Sequence, residues 1–176
     1  MYSILLHYDY SVRKIVVIAP NLRSCHNVGS LLRTAEGLGA EAVWLTGYTP
    51  YPALDQDSRM PHEANKLTKQ IHKTALGAED YQPWYHRQEI LPLINELKSY
   101  GYTVAALEQT KNSINLHEFK MPERLAFIVG REVEGIEAEV LNACDTTIEI
   151  PMSGKKESFN VASAAAMALY HLTFAS

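Results

Sequence analysis

Short apolar runs rich in β-branched residues alternate along this chain with segments whose apolar residues recur every three or four positions. The first pattern suits buried strands, and the second suits helices that present one stripe to a core. Strands are predicted at Lys14 to Ala19, Ala42 to Thr46, Thr103 to Leu107, Leu125 to Val129 and Thr147 to Ile150. Helices are predicted at Val28 to Leu38, Glu63 to Ala75, Glu89 to Tyr100, Glu137 to Ala143 and Phe159 to Thr173. The alternation implies an α/β fold built on a mostly parallel sheet with helices on both faces. Ligands in such sheets bind beyond the carboxyl ends of strands, which directs attention to the loops after Ala19, Leu107, Val129 and Ile150. Gly47 to Pro61, with three prolines and a polar run, is expected to be the weakest-ordered segment.

The loop after Ala19 leads into a helix in which Val28, Leu31, Leu32, Ala35 and Leu38 share one face. Arg33 lies off that stripe. Side chains lean toward a helix's N-terminus, so Arg33 is expected to reach back over the small residues Gly29 and Ser30. A helix start favours anions, and an arginine aimed there makes a seat for a phosphate. Arg33 can equally be a solvated surface charge, and Asn27 a simple cap.

Gly130-Arg131-Glu132-Val133-Glu134-Gly135 approaches a dinucleotide fingerprint, but Glu132 stands where the second glycine belongs. A carboxylate there obstructs and repels a pyrophosphate. It suits a ligand bearing positive charge, or the orientation of a nearby arginine. Gly130 and Gly135 can also be turn residues. The third loop, Ile150-Pro151-Met152-Ser153-Gly154-Lys155-Lys156-Glu157-Ser158, lacks the glycine spacing of a P-loop, and Ser158 is placed to cap the last helix. Val161, Ala165, Ala168, Leu169 and Leu172 form that helix's apolar face, while Ala162, Ala164 and Ala166 keep its other side small enough for a second helix or a ligand to approach.

With 176 residues and 47% hydrophobic content, the chain 1–176 is read as a single domain. A formal net charge of -4 excludes a global cationic field, so any nucleic-acid site must be a local patch. Cys25 and Cys144 fall in no zinc-ligand spacing, and no metal is expected. The stretch Met1 to Tyr10 is interrupted by His7 and Asp9 and is too short for a signal or a membrane span, so a cytoplasmic location is expected.

Three elements taken together, Asn27-x-Gly29-x-x-x-Arg33-Thr34-Ala35, Gly130-x-Glu132-x-x-Gly135-Ile136, and Ile150-Pro151-Met152 with Ser158-Phe159-Asn160-Val161-Ala162, resemble the three motifs of the SpoU branch of SPOUT methyltransferases. Lys73 to Glu79, followed by Trp84, also resembles a segment common in SpoU-type proteins. The resemblance implies a C-terminal deep trefoil knot, S-adenosylmethionine as cofactor, a homodimer, and methylation of a ribose 2'-hydroxyl in RNA. It implies a cofactor pocket from Leu107, Glu108, Gly130, Gly135, Ile150, Met152, Ser158 and Phe159. It assigns Arg33 to the target ribose, with Asn27, Glu132, Ser158 and Asn160 around it. Phe159 departs from the leucine of many members. Contacts to RNA are expected from Arg23, Arg33, Arg131, Lys155 and Lys156, with Arg13 and Lys14 as further candidates. Transfer RNA is favoured over ribosomal RNA. The alternatives are a ribosomal RNA enzyme, a non-catalytic RNA-binding protein of the same fold, and a SPOUT enzyme acting on a base nitrogen.

Overall fold

The computed structural model describes residues 13–131 and 134–174. The Met1 to Tyr10 stretch and Glu132 lie outside the described residues. Strands β1 (Lys14–Pro20), β2 (Ala42–Thr46), β3 (Trp84–Arg87), β4 (Thr103–Leu107), β5 (Ile114–Asn115), β6 (Arg124–Val129) and β7 (Thr146–Glu149) form one sheet. Its order is β3-β2-β1-β6-β4-β7-β5, and these neighbours pair in parallel. Among the described residues five α-helices cover it: α1 (Cys25–Gly37), α2 (Pro61–Ala75), α3 (Ile90–Ser99), α4 (Ala138–Ala143) and α5 (Val161–Phe174).

The near-continuous apolar runs of β1 and β6 are explained by burial on both faces. Ile15, Val17 and Ala19 point with Leu125, Phe127 and Val129 into a core shared with α1, α2 and α5. Val16 and Ile18 point with Ala126 and Ile128 into a second core under α3 and α4. Among the described residues no helix is long and apolar enough to cross a membrane.

Helix starts follow their caps. Ser24 accepts from Asn27 N at 3.2 Å, so α1 begins at Cys25, earlier than its apolar stripe suggested, and Asn27 lies within its first turn. At α5 the cap is Asn160, whose Oδ1 accepts from Ala162 N at 3.0 Å and Ser163 N at 3.3 Å. This corrects the expected Ser158 cap and leaves Ser158 and Phe159 in the preceding loop. Ala162 falls on the buried side of α5 rather than on its small outer side.

Strands β3 and β5 were not predicted. β3 reads Trp-Tyr-His-Arg, a half-exposed edge strand with no apolar run, and β5 has only two residues. The segment expected to be weakest ordered is held instead by Arg59. Its guanidinium donates to the carbonyls of Tyr51 at 2.9 Å and Pro52 at 3.0 Å, pairs with Asp57, and lies 3.5 Å from the centre of the Tyr51 ring. The prolines and polar residues that looked like breakers therefore build a closed loop.

Gly29 has a different role from the one expected. A Cβ there would stand 2.2 Å from Ile71 O and 2.3 Å from Thr74 Oγ1. The glycine lets α2, not the Arg33 side chain, lie against α1, and Thr74 Oγ1 seals the contact by donating to His26 O at 2.8 Å.

Candidate active site

Parallel strands bring the carboxyl ends of β1, β4, β6 and β7 to one edge of the sheet. An open cavity lies there, between the loops after β4, β6 and β7 and the start of α5. Its apolar lining includes the buried Leu107, Val129 and Val161 with Ile150 and Ala164, and the half-exposed Phe159 stands at its edge. Its polar lining comprises Glu108, Gln109, Arg131, Glu149, Glu157 and Ser158.

Of the residues expected to hold a cofactor, Leu107, Glu108, Gly130, Ile150, Ser158 and Phe159 line this cavity. Met152 and Gly135 do not. Met152 lies beyond Pro151 in the outgoing loop, and Gly135 sits behind the Glu108 carboxylate, which a Cβ would meet at 2.5 Å. Sequence reasoning missed Gln109, Val129, Glu149, Glu157, Val161 and Ala164. Val129 carried a usable signal, since it ends a predicted strand at the edge where ligands bind, and Glu149 lies one residue before the end of another.

The remaining candidates fall into separate groups. Asn160 Nδ2 donates to Asn27 Oδ1 at 3.1 Å, which ties the first turn of α1 to the start of α5 beside Ser158. Arg23 pairs with Glu134 at 2.7 Å and so joins the loop after β1 to the loop after β6. Arg131 is turned into its own loop, with Nε donating to Gly135 O at 3.4 Å and a 3.5 Å ion pair to Glu137. Lys14 pairs with Glu41 at 3.2 Å. Lys155 and Lys156 are exposed between β7 and α5. Arg33 is exposed on α1 and is not part of the cavity lining of its own chain.

The charge of the cavity restricts its ligand. Among the described residues, three carboxylates, Glu108, Glu149 and Glu157, share the lining with a single guanidinium, that of Arg131. A pyrophosphate would be repelled, whereas a ligand with an apolar ring system and a positive centre is accommodated. Thiol chemistry has no support here, because burial raises the pKa of Cys25 and pushes that of Cys144 up to about 11. Nucleophilic reactivity needs the thiolate. Among the described residues no group of three His, Cys, Asp or Glu side chains is placed to hold a metal ion.

Residues 14–170 match the model of the SpoU rRNA methylase family. A Staphylococcus haemolyticus protein named as a TrmH family tRNA/rRNA methyltransferase is 31% identical over 157 residues, covering 89% of this chain and 57% of its own length. The chain thus spans somewhat over half the length of the curated relatives it matches. A solved RNA 2'-O ribose methyltransferase superposes with a TM-score of 0.74 at 26% identity, over 98% of this chain and 60% of that one. The AviRb methyltransferase of Streptomyces viridochromogenes, solved in complex with AdoMet, shares the fold at a TM-score of 0.75 and 20% identity, over 92% of this chain and 57% of that one. With the family model matched along nearly all of its sheet and helices, the chain belongs to the SpoU rRNA methylase family.

Proposed function

We propose that this protein transfers a methyl group from S-adenosylmethionine to a ribose 2'-hydroxyl of RNA, with tRNA favoured over rRNA as substrate. The carboxylate-rich, apolar-walled cavity at the ends of β4, β6 and β7 carries the reading, since it fits a sulfonium nucleoside and opposes a nucleotide polyphosphate. Leu107, Glu108, Gly130, Ile150, Ser158 and Phe159 would hold the cofactor, which supplies an electrophilic methyl group without any metal. Catalysis by the chain then consists of aligning the ribose and stabilising charge that develops on its oxygen.

Arg33 is assigned to that second task. A guanidinium stays protonated at ordinary pH, so it acts as an electrostatic clamp rather than as the base. Because Arg33 lies outside its own chain's cavity, we assign the protein as a homodimer in which α1 of one copy faces the site of the other. The exposed ridge of α5 beside α1, formed by Met167, Tyr170 and Phe174, supports this pairing. Asn27, Asn160 and Ser158 would position the ribose at the junction of α1 and α5, and the resemblance adds Glu132 to this set. The return of the chain from β7 to pack α5 on α1 fits the trefoil threading that the resemblance implies. The reading carries with it a cytoplasmic location.

Calorimetric titration with S-adenosylmethionine in the presence of a chelator tests the cofactor, and transfer of labelled methyl to unfractionated tRNA or rRNA tests the substrate. Binding followed by transfer to tRNA is expected. RNA binding without any S-adenosylmethionine binding would favour the non-catalytic alternative.

A further inference from the structure

We propose that the outward face of α2 is an RNA-docking surface on which Lys66, Lys69 and Lys73 contact the phosphate backbone. The proposal rests on the RNA-modifying reading and names where its substrate is gripped. In a chain of formal net charge -4, α2 carries these three lysines against the single acid Glu63. Their spacing of three and four residues gathers them on one side of the helix. The buried Ala64, Ile71 and Ala75 occupy the opposite side, and all three lysines are exposed.

Two features of this face favour an anionic partner. Several cations elsewhere are already matched by acids: Lys14 pairs with Glu41, Arg23 with Glu134, Arg59 with Asp57, Arg87 with Glu96, Lys98 with Asp145 and Arg131 with Glu137. No ion pair involving Lys66, Lys69 or Lys73 occurs among the described residues. Like charges at three- and four-residue spacing also repel along a helix, so the arrangement weakens α2 in isolation and is relieved by an anionic partner. From His62 to Lys73 every exposed position is polar. That face lacks the aromatic and aliphatic anchors on which protein interfaces depend, and matches a polyanion instead.

The helix is also fixed relative to the helix that bears Arg33. Gly29 admits α2 to backbone contact, Thr74 Oγ1 donates to His26 O at 2.8 Å, and Thr68 Oγ1 accepts from Ala53 N at 2.8 Å. RNA held on α2 therefore has a set offset from Arg33.

The test compares full-length wild type with the triple variants Lys66→Glu/Lys69→Glu/Lys73→Glu and Lys66→Gln/Lys69→Gln/Lys73→Gln. The exposed pair Lys111→Glu/Lys120→Glu serves as the charge control. Binding of unfractionated tRNA is measured across a range of salt, alongside S-adenosylmethionine binding and thermal unfolding. The glutamate triple is expected to lose on the order of tenfold or more in RNA affinity at moderate salt, and the glutamine triple to flatten the log-log salt slope by about 2 to 3. Cofactor binding and unfolding should match wild type, and the control should bind RNA nearly as wild type does. If wild type binds tRNA and both triples bind it with equal affinity and slope, α2 is not the surface. A triple that binds RNA normally but loses an acidic protein partner overturns the proposal as well. If wild type binds neither tRNA nor rRNA, the RNA-modifying reading itself fails, and this proposal with it.

Discussion

Glu108 joins two loops through one carboxylate: Oε2 accepts from Ile136 N and Oε1 from Gln109 N, both at 3.0 Å. The glycines of the second motif leave space for it, since a Cβ on Gly135 would lie 2.5 Å, and one on Gly130 3.1 Å, from Oε2. Gly135 also sits at φ +69, a conformation that L side chains resist. Gly135→Ala should therefore destabilise the protein by about 1–3 kcal/mol in urea unfolding and weaken S-adenosylmethionine binding. Adding Glu108→Ala removes the clashing partner, so the double variant should cost less than the sum of the two single ones. Strict additivity would show that the two residues do not act on each other. The spacing of these glycines was visible in the sequence, but their reason was not, because the side chain that needs the space belongs to another loop. The same holds for Gly29, whose constraint comes from the backbone of α2.

Periodicity located the elements that touch a core and missed those that do not. β1, β2, β4, β6 and β7 have apolar residues facing neighbours, and their runs were legible, whereas edge strand β3 carries a pattern that any loop could have. The 47–60 loop was misjudged for a related reason: one side chain, Arg59, organises residues that locally read as breakers. Arg59 holds the Asp57 carboxyl well below the usual carboxylate range, chiefly through their hydrogen bond. A carboxyl kept ionised in the folded state takes up protons later than the unfolded chain does, so its contribution is complete above that range and fades as pH falls. Asp57→Asn should thus be less stable than wild type at neutral pH, and the gap should close as pH drops below about 4. Denaturant titrations of both proteins at several pH values would show it, and a gap independent of pH would contradict the assignment.

At the scale of the molecule, the three motifs suggested one fold, and the sheet gathers their loops at one edge as that fold requires. What the motifs could not show is that Arg33 stands apart from the cavity of its own chain. The exposed apolar ridge of α5 was equally hidden. Small alanines drew attention on α5, but the exposed apolar stripe consists of Met167, Tyr170 and Phe174, the last two with rings 5.1 Å apart. Tyr170→Glu should yield a folded species near 20 kDa in sedimentation at concentrations where wild type is about twice that mass. A wild type that is monomeric under those conditions would remove the dimer.

The most direct test is methyl transfer by Arg33→Ala, with the product linkage identified. Arg33 is exposed and outside the cavity, so fold and S-adenosylmethionine binding should be nearly unchanged. Transfer to RNA should fall on the order of 100- to 1000-fold, as expected when one electrostatic donor to a developing anion is lost. Lys in its place should restore little, because a point charge lacks the planar fork that engages two oxygens. The wild-type product should be a ribose 2'-O-methyl group that resists alkaline cleavage of its linkage. A methyl group on a base, or an Arg33→Ala variant that methylates at the wild-type rate, would contradict the account.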